Sequence, residues 1–465
     1  MEMPSAYNLA ADVMEAGRAR PGHPALVVLG ERDETWTHAD LLAAVERRAG
    51  GLAALGLPAG ARVMLRVGDT PDFPITHLAC AAAGLVPVPT SAALTAPEVA
   101  KMAARIAPAL AVGDALPLPP DIPAAAPGDL DGAPLPFDDW PRGDPDRLGY
   151  IVFTSGSGGT PKAVAHAHRA VRARRSMWDG WYGLTPDDRL LHAGAFNWTF
   201  TLGTGLLDPW AIGATALIPA PGTSIEALPA LLARADATLF AAAPGVVRRM
   251  LRAPLPPLPR LRHALVAGEA LSPAIRADWE AATGTPVHEA LGMSECSTFV
   301  SGSPARPAPG GTAGFVQPGR RTRIAGGTLQ VGRGDPGLML GYWEDGAVTP
   351  VPEWFDTGDR VEEAGGAIRH LGRADDLLNP GGIRVSPQEV EAALAGLAED
   401  LAVGTVTTGS GAVILAAFHV GGIDLAAAEA RAAERLAPYK RPKVWLRRDA
   451  LPRNANGKLI RRRLA

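Results

Sequence analysis

Apolar residues along the first third of the chain fall into two spacings. Over residues 37–57 they recur every three to four positions, as on one face of a helix, while 61–67, with Val63-Met64-Leu65 at its centre, reads as a buried strand. A second helix is expected over 75–83, opened by Pro74 and stopped by Gly84, with a short strand at 85–88. Such alternation predicts largely parallel sheets covered by helices. Residues 116–146 are dense in proline, glycine and aspartate and read as a surface connector.

The alternation resumes from about 150 to 300, with strands expected at 150–154, 214–218, 238–242 and 263–267. Between 310 and 370 the helical period is lost. Glycine-punctuated runs at 322–324, 328–331 and 367–370 predict a small antiparallel sheet or barrel. The pattern resets after Gly372-Arg373-Ala374-Asp375-Asp376, with helix 387–397, strands 401–407 and 412–419, and helix 425–436. The expected fold class is therefore α/β. A large N-terminal domain of β/α layers with an antiparallel β sub-barrel (1–374) is followed by a small α+β domain (375–465). No internal repeat is seen.

Composition narrows the function classes. A chain of 465 residues is too long for a single compact core. Its formal net charge of −3 lacks the basic excess of a dedicated nucleic-acid binder. Two cysteines, Cys80 and Cys296, exclude a disulfide framework and are too few for a thiolate zinc site. The first residues lack a basic segment followed by an apolar one, and no run of 18 apolar residues could span a bilayer. A cytoplasmic protein with neither a membrane nor a nucleic-acid partner is expected. Nearly all positive charge is arginine; lysine stands only at Lys101, Lys162, Lys440, Lys443 and Lys458. A compact ammonium can reach between two oxygens where a planar guanidinium cannot, so Lys162 and Lys458 draw interest through their neighbours.

Lys162 closes the run Thr154-Ser155-Gly156-Ser157-Gly158-Gly159-Thr160-Pro161-Lys162, directly after a predicted strand. Glycines let backbone N–H groups approach phosphate oxygens, hydroxyls add donors and Lys162 adds charge. Pro161 stands where the Walker loop requires glycine, so this is a phosphate cradle of another kind. A flexible surface linker is the plainer reading of such a run, and the buried strand before it argues for the cradle.

This run resembles the signature of the adenylate-forming superfamily of acyl-CoA synthetases, nonribosomal adenylation domains and luciferases. Further family-like segments follow in order: Gly292-Met293-Ser294-Glu295, Trp354-Phe355-Asp356-Thr357-Gly358-Asp359, Gly372-Arg373-Ala374-Asp375-Asp376, Gly381-Gly382-Ile383-Arg384 and Arg453-Asn454-Ala455-Asn456-Gly457-Lys458. The resemblance implies ATP, Mg²⁺ and coenzyme A. Ser294 and Glu295 would serve the phosphates, with Glu295 holding the metal ion. Gly268-Glu269-Ala270 and Ala290-Leu291-Gly292-Met293 would lie against adenine, although the family commonly has tyrosine at Leu291. Asp359 would accept both ribose hydroxyls, with Arg373 beside it. Lys458 would bridge the carboxylate and the α-phosphate as charge crowds there. The small domain would be mobile, turning about a hinge at Asp375 so that Gly381, Gly382 and Arg384 meet coenzyme A. Asn379 stands where the family often has lysine.

Three aromatics, Phe196, Trp198 and Phe200, crowd into the run Phe196-Asn197-Trp198-Thr199-Phe200-Thr201-Leu202-Gly203 of a chain that is only 5% aromatic. Together with Thr199, Gly203 and, after Glu295, Phe299, these rings suggest a closed apolar slot for a small flat acid. This segment resembles benzoate-CoA ligases, which usually place a tyrosine near Phe200. Asp208, before a proline, is expected to cap a helix rather than grip an amino group. His166 and His168 lack a third metal ligand, and Cys296 lacks the partners of a nucleophile.

The resemblance implies a ligase joining a small aromatic carboxylic acid to coenzyme A through an acyl-AMP intermediate. A short or medium aliphatic acid, a carrier protein as acceptor, and a nucleotide-binding regulator without turnover are the alternatives. A homodimer is left open.

Overall fold

The computed structural model describes residues 3–154, 161–374, 378, 385–408, 413–436, 438–454, 457 and 459–464. Among these residues there are five sheets. The largest has nine strands. Its centre is parallel and runs Val287–Met293, His263–Ala267, Leu239–Ala242, Arg189–Ala193, Thr215–Pro219 and Pro24–Leu29. Antiparallel strands close both edges, Ser297–Ser301 and Phe315–Val316 on one side and Glu34–Thr37 on the other. A second, wholly parallel sheet orders Val86–Pro89, Arg62–Leu65, Leu110–Val112 and Ala124–Ala125.

The local sequence explains the elements. The helix His38–Ala54 starts at Thr37, whose hydroxyl and backbone N–H exchange hydrogen bonds with Asp40 in a capping box. The helix Asp72–Ala82 is buried along almost its whole length, Thr76 and His77 included, as a helix apolar on nearly every face requires. One core packs these helices and Leu9–Arg18 against the sheets, while Phe240, Val266, Trp279 and Leu232 fill the other face of the large sheet.

One expectation is met and one needs correction. The runs at 322–324, 328–331 and 367–370 do share one antiparallel sheet, made of Thr322–Ala325, Thr328–Gly332, Trp354–Ala364 and Ala367–Arg373, while Gly341–Glu344 and Ala347–Pro350, between them in sequence, join Lys162–Ala167 and Leu148–Thr154 in another. Trp343 is the reason: its ring is buried with Ile151, Ala163 and Ala165. The connector at 116–146 is also more than surface, because Leu130, Phe137 and Trp140 are buried in the main core.

Past residue 385 the chain folds as expected into helix Pro387–Ala393, strands Asp400–Thr407 and Val413–Val420, and helix Leu425–Arg435. A further strand, Val444–Arg447, pairs in parallel with Val413–Val420. No helix among the described residues is long and apolar enough to cross a membrane.

Candidate active site

Thr154 and Lys162 are register partners, the last residue of one strand and the first of the next. Gly341–Glu344 lies against that second strand with Tyr342 opposite Val164. This register brings the Lys162 ammonium 4.8 Å from the centre of the Tyr342 ring. The Tyr342 hydroxyl donates to Glu295 Oε1 at 2.9 Å. Burial, and then the Glu295 carboxylate, push the Tyr342 phenol up, with Arg373 opposing, so the hydroxyl remains a donor. One tyrosine thus joins Lys162 to Glu295.

The segment carrying Glu295 is held residue by residue. His166 Nε2 meets the Ser294 carbonyl at 2.7 Å, and the Met339 N–H donates to the Glu295 carbonyl at 2.7 Å. Arg320 donates to the Cys296 carbonyl at 3.1 Å. His166 therefore supports the backbone beside Glu295, while His168 Nδ1 accepts from the Leu9 N–H. No group of three or more His, Cys, Asp or Glu among the described residues could hold a metal ion. Cys296 is fully buried and burial pushes its thiol up, which removes it as a nucleophile.

Gly268 ends one parallel strand and Leu291 continues its neighbour, Ala267 and Ala290 being register partners. Both segments lie at the carboxyl ends of strands, where open α/β sheets bind ligands. At Gly268 φ is +97°, and a side chain there would meet the Trp198 ring at 2.7 Å. Glu269 accepts from the Gly245 N–H at 3.1 Å and faces Arg453 at 3.3 Å. Ala270 is exposed, and Gly292 and Met293 are half-buried. Asp359 and Arg373 are register partners. His370 Nε2 and Arg373 stand 3.1 Å and 3.7 Å from Asp359 Oδ1.

A family described as AMP-binding enzyme matches residues 13–343. The chain belongs to this family. The AMP-binding enzyme is similar to the benzoate–CoA ligase of Thauera aromatica, at 29% identity over 100% of this chain and 97% of the relative. It is similar in structure to ATP-bound MatB from Rhodopseudomonas palustris, with TM-score 0.86, 25% identity and 97% of each chain covered. A benzoate CoA ligase from Burkholderia xenovorans LB400 superposes with TM-score 0.84 at 25% identity, over 98% of this chain and 99% of the other. These matches bear out the resemblance and the α/β fold class.

The run 196–203 of this AMP-binding enzyme, expected to hold the acid, is divided by its packing. Phe196 and Phe299 join the main core, Phe196 against Phe73 with centroids 5.7 Å apart and Phe299 under Arg320 at 4.8 Å. Trp198 and Phe200 belong to a separate aromatic cluster with Trp181, and Thr199 is half-buried. Gly203 lies against Arg174, where a side chain would come within 2.2 Å of the guanidinium carbon.

Asp208 corrects an expectation. It caps no helix: the cap residue is Leu207, without a side-chain bond. Asp208 instead accepts from Arg174 at 2.7 Å and from the Tyr182 hydroxyl at 2.8 Å, fully buried. A charge at that depth is retained only with a partner.

Ser155, Gly156, Ser157, Gly158, Gly159, Thr160, Asp375, Gly381, Gly382, Arg384 and Lys458 lie outside the described residues. Tyr342, His370, Arg453 and Arg174 are the residues that sequence reasoning missed. Tyr342 carried a signal in Gly341-Tyr342, a glycine before an aromatic at the start of a strand, but its two partners are far away in sequence.

Proposed function

We propose that this AMP-binding enzyme joins an aromatic carboxylic acid to coenzyme A in two steps. The carboxylate attacks the α-phosphorus of ATP, forming acyl-AMP and releasing pyrophosphate. The coenzyme A thiol then attacks the acyl carbon, forming the thioester and releasing AMP. The observation that carries this reading is the Lys162–Tyr342–Glu295 connection, which sets a cation over one ring and a carboxylate at that ring's hydroxyl.

Lys162 offsets phosphate charge at the end of the run 154–162, and Asp359 accepts the ribose hydroxyls with Arg373 next to it. Glu295 offers a hard oxygen ligand on a fixed backbone, which fits Mg²⁺ bound through one carboxylate and phosphate oxygens. Magnesium would neutralise the polyphosphate and draw charge from the leaving group. Lys458 would bring its ammonium to the reacting oxygens. The rings of Trp198 and Phe200, edge to face at 5.1 Å, favour a small flat acid over an extended chain. The similarity to the Thauera and Burkholderia benzoate ligases supports the same class. Residues 1–374 and 375–465 form the two domains in this reading, with Asp375 as hinge.

Pyrophosphate exchange dependent on added acid, measured across benzoates and aliphatic acids and repeated with coenzyme A, tests the proposal. Benzoates should support exchange and thioester formation; exchange with aliphatic acids alone would overturn the substrate class. Lys458→Ala should suppress acyl-AMP formation and spare thioester formation from supplied acyl-AMP, and equal loss of both would refute its role.

A further inference from the structure

The buried Arg174–Asp208 pair has a place in the fold that packing alone does not require. Arg174 follows the helix Arg169–Ala173 and is 5% exposed; Asp208 opens the helix Asp208–Ile212 and is 2% exposed. Replacing such a pair by apolar side chains is often neutral for stability, so the pair needs another reason. Its donors reach two parts of the site. Nη2 binds Thr204 Oγ1 at 3.0 Å, inside the turn Thr201–Leu207 of the acyl segment, and the guanidinium rests on Gly203. Nη1 binds the Ser297 hydroxyl, two residues after Glu295.

Ser297 has φ +58°, a left-handed conformation uncommon for a residue with a side chain. It opens the antiparallel strand Ser297–Ser301 and is preceded by a backbone already tied at Ser294, Glu295 and Cys296. Tyr182 closes the network, its hydroxyl within 3.0 Å of Thr204 Oγ1 and 2.8 Å of Asp208.

We propose that Arg174 is a positioning residue that couples the acyl segment to Glu295 through Ser297. The inference rests on the proposed role of Glu295 at the phosphates. Asp208 fixes the guanidinium, Gly203 and Thr204 set its position from the acyl side, and Ser297 carries that position to the Glu295 backbone. A seated acid then holds the carboxylate where the nucleotide needs it, and misplacement by an ångström costs rate rather than binding of the acid.

Ser297→Gly tests the coupling, since it removes the hydroxyl, suits a positive φ and leaves the Arg174–Asp208 pair intact. The expected result is a roughly tenfold lower kcat for benzoate-dependent pyrophosphate exchange with the KM for benzoate unchanged. Calorimetry with ATP and Mg²⁺ should show benzoate tightening nucleotide binding in the parent protein and failing to do so in the variant. Arg174→Lys should give the same pattern, and the double variant should be no worse than Arg174→Lys alone, as expected of residues acting as one unit. Parent-like coupling in Ser297→Gly, or additive losses in the double variant, would overturn the proposal. If benzoate supports no exchange in the parent, the substrate class fails, and the same kcat and coupling comparison is made with the acid that does support exchange; parent-like coupling in Ser297→Gly with that acid overturns the proposal.

Discussion

Tyr342 shows how much one side chain can organise. Tyr342→Phe keeps the ring beside Lys162 and removes the hydroxyl from Glu295. A hydrogen bond to a charged group is worth about 1.5–3 kcal/mol, so acyl-AMP formation should fall by about 10- to 100-fold in pyrophosphate exchange. Glu289 offers a pH test. Its carboxyl is pushed up to about 7, chiefly by burial, with the Leu271 N–H, Arg276 and His370 opposing. The folded state therefore holds a proton that the unfolded state releases at lower pH. This contribution is full below the unfolded value and lost as pH rises through about 7. Glu289→Gln keeps an acceptor for Leu271 and should gain about 1–3 kcal/mol over the parent at about pH 8, with little gain at about pH 4, in urea unfolding.

At the scale of elements, a second buried ion pair holds the Glu295 segment beside the Arg174 network. Arg320 binds Asp335 at 2.8 Å, both almost fully buried, and Asp335 also accepts from the Arg321 and Gly337 N–H groups. Asp335→Ala strands the guanidinium and should cost about 3–5 kcal/mol in urea unfolding. Element type was readable from period and composition: the parallel strands near 214–218, 238–242 and 263–267, the helix from about 37 and the α+β unit after 385 fall where the pattern puts them, while the strand at 150–154 pairs antiparallel with Lys162–Ala167. Partnership was not. Gly341–Glu344 belongs with Lys162–Ala167, far away in sequence, because the burial of Trp343 decides between two edges that period-2 patterning treats alike.

Across the whole molecule, the segment after 385 docks on the large part through charges. Across that boundary Asp400 is held by Arg248 at 2.6 Å, Arg453 faces Glu269 at 3.3 Å, and Arg252 pairs with Glu399, while Asp400 also holds Arg453 within the segment at 3.1 Å. An interface of this kind suits repeated docking and release, since partly exposed ion pairs are weak and screened by salt. Arg453→Ala should therefore slow acyl-AMP formation several-fold at low salt in pyrophosphate exchange, converging on the parent at about 1 M salt.

The order of motifs, the α/β alternation and the chemistry of Lys162, Glu295 and Asp359 are written in the chain itself, because spacing and residue type are local properties. Which groups meet is not local. The tyrosine joining Lys162 to Glu295, the arginine under the acyl segment and the aspartate that proved to be its partner were decided by sheet register and burial, which bring together residues as far apart in sequence as Lys162 and Tyr342.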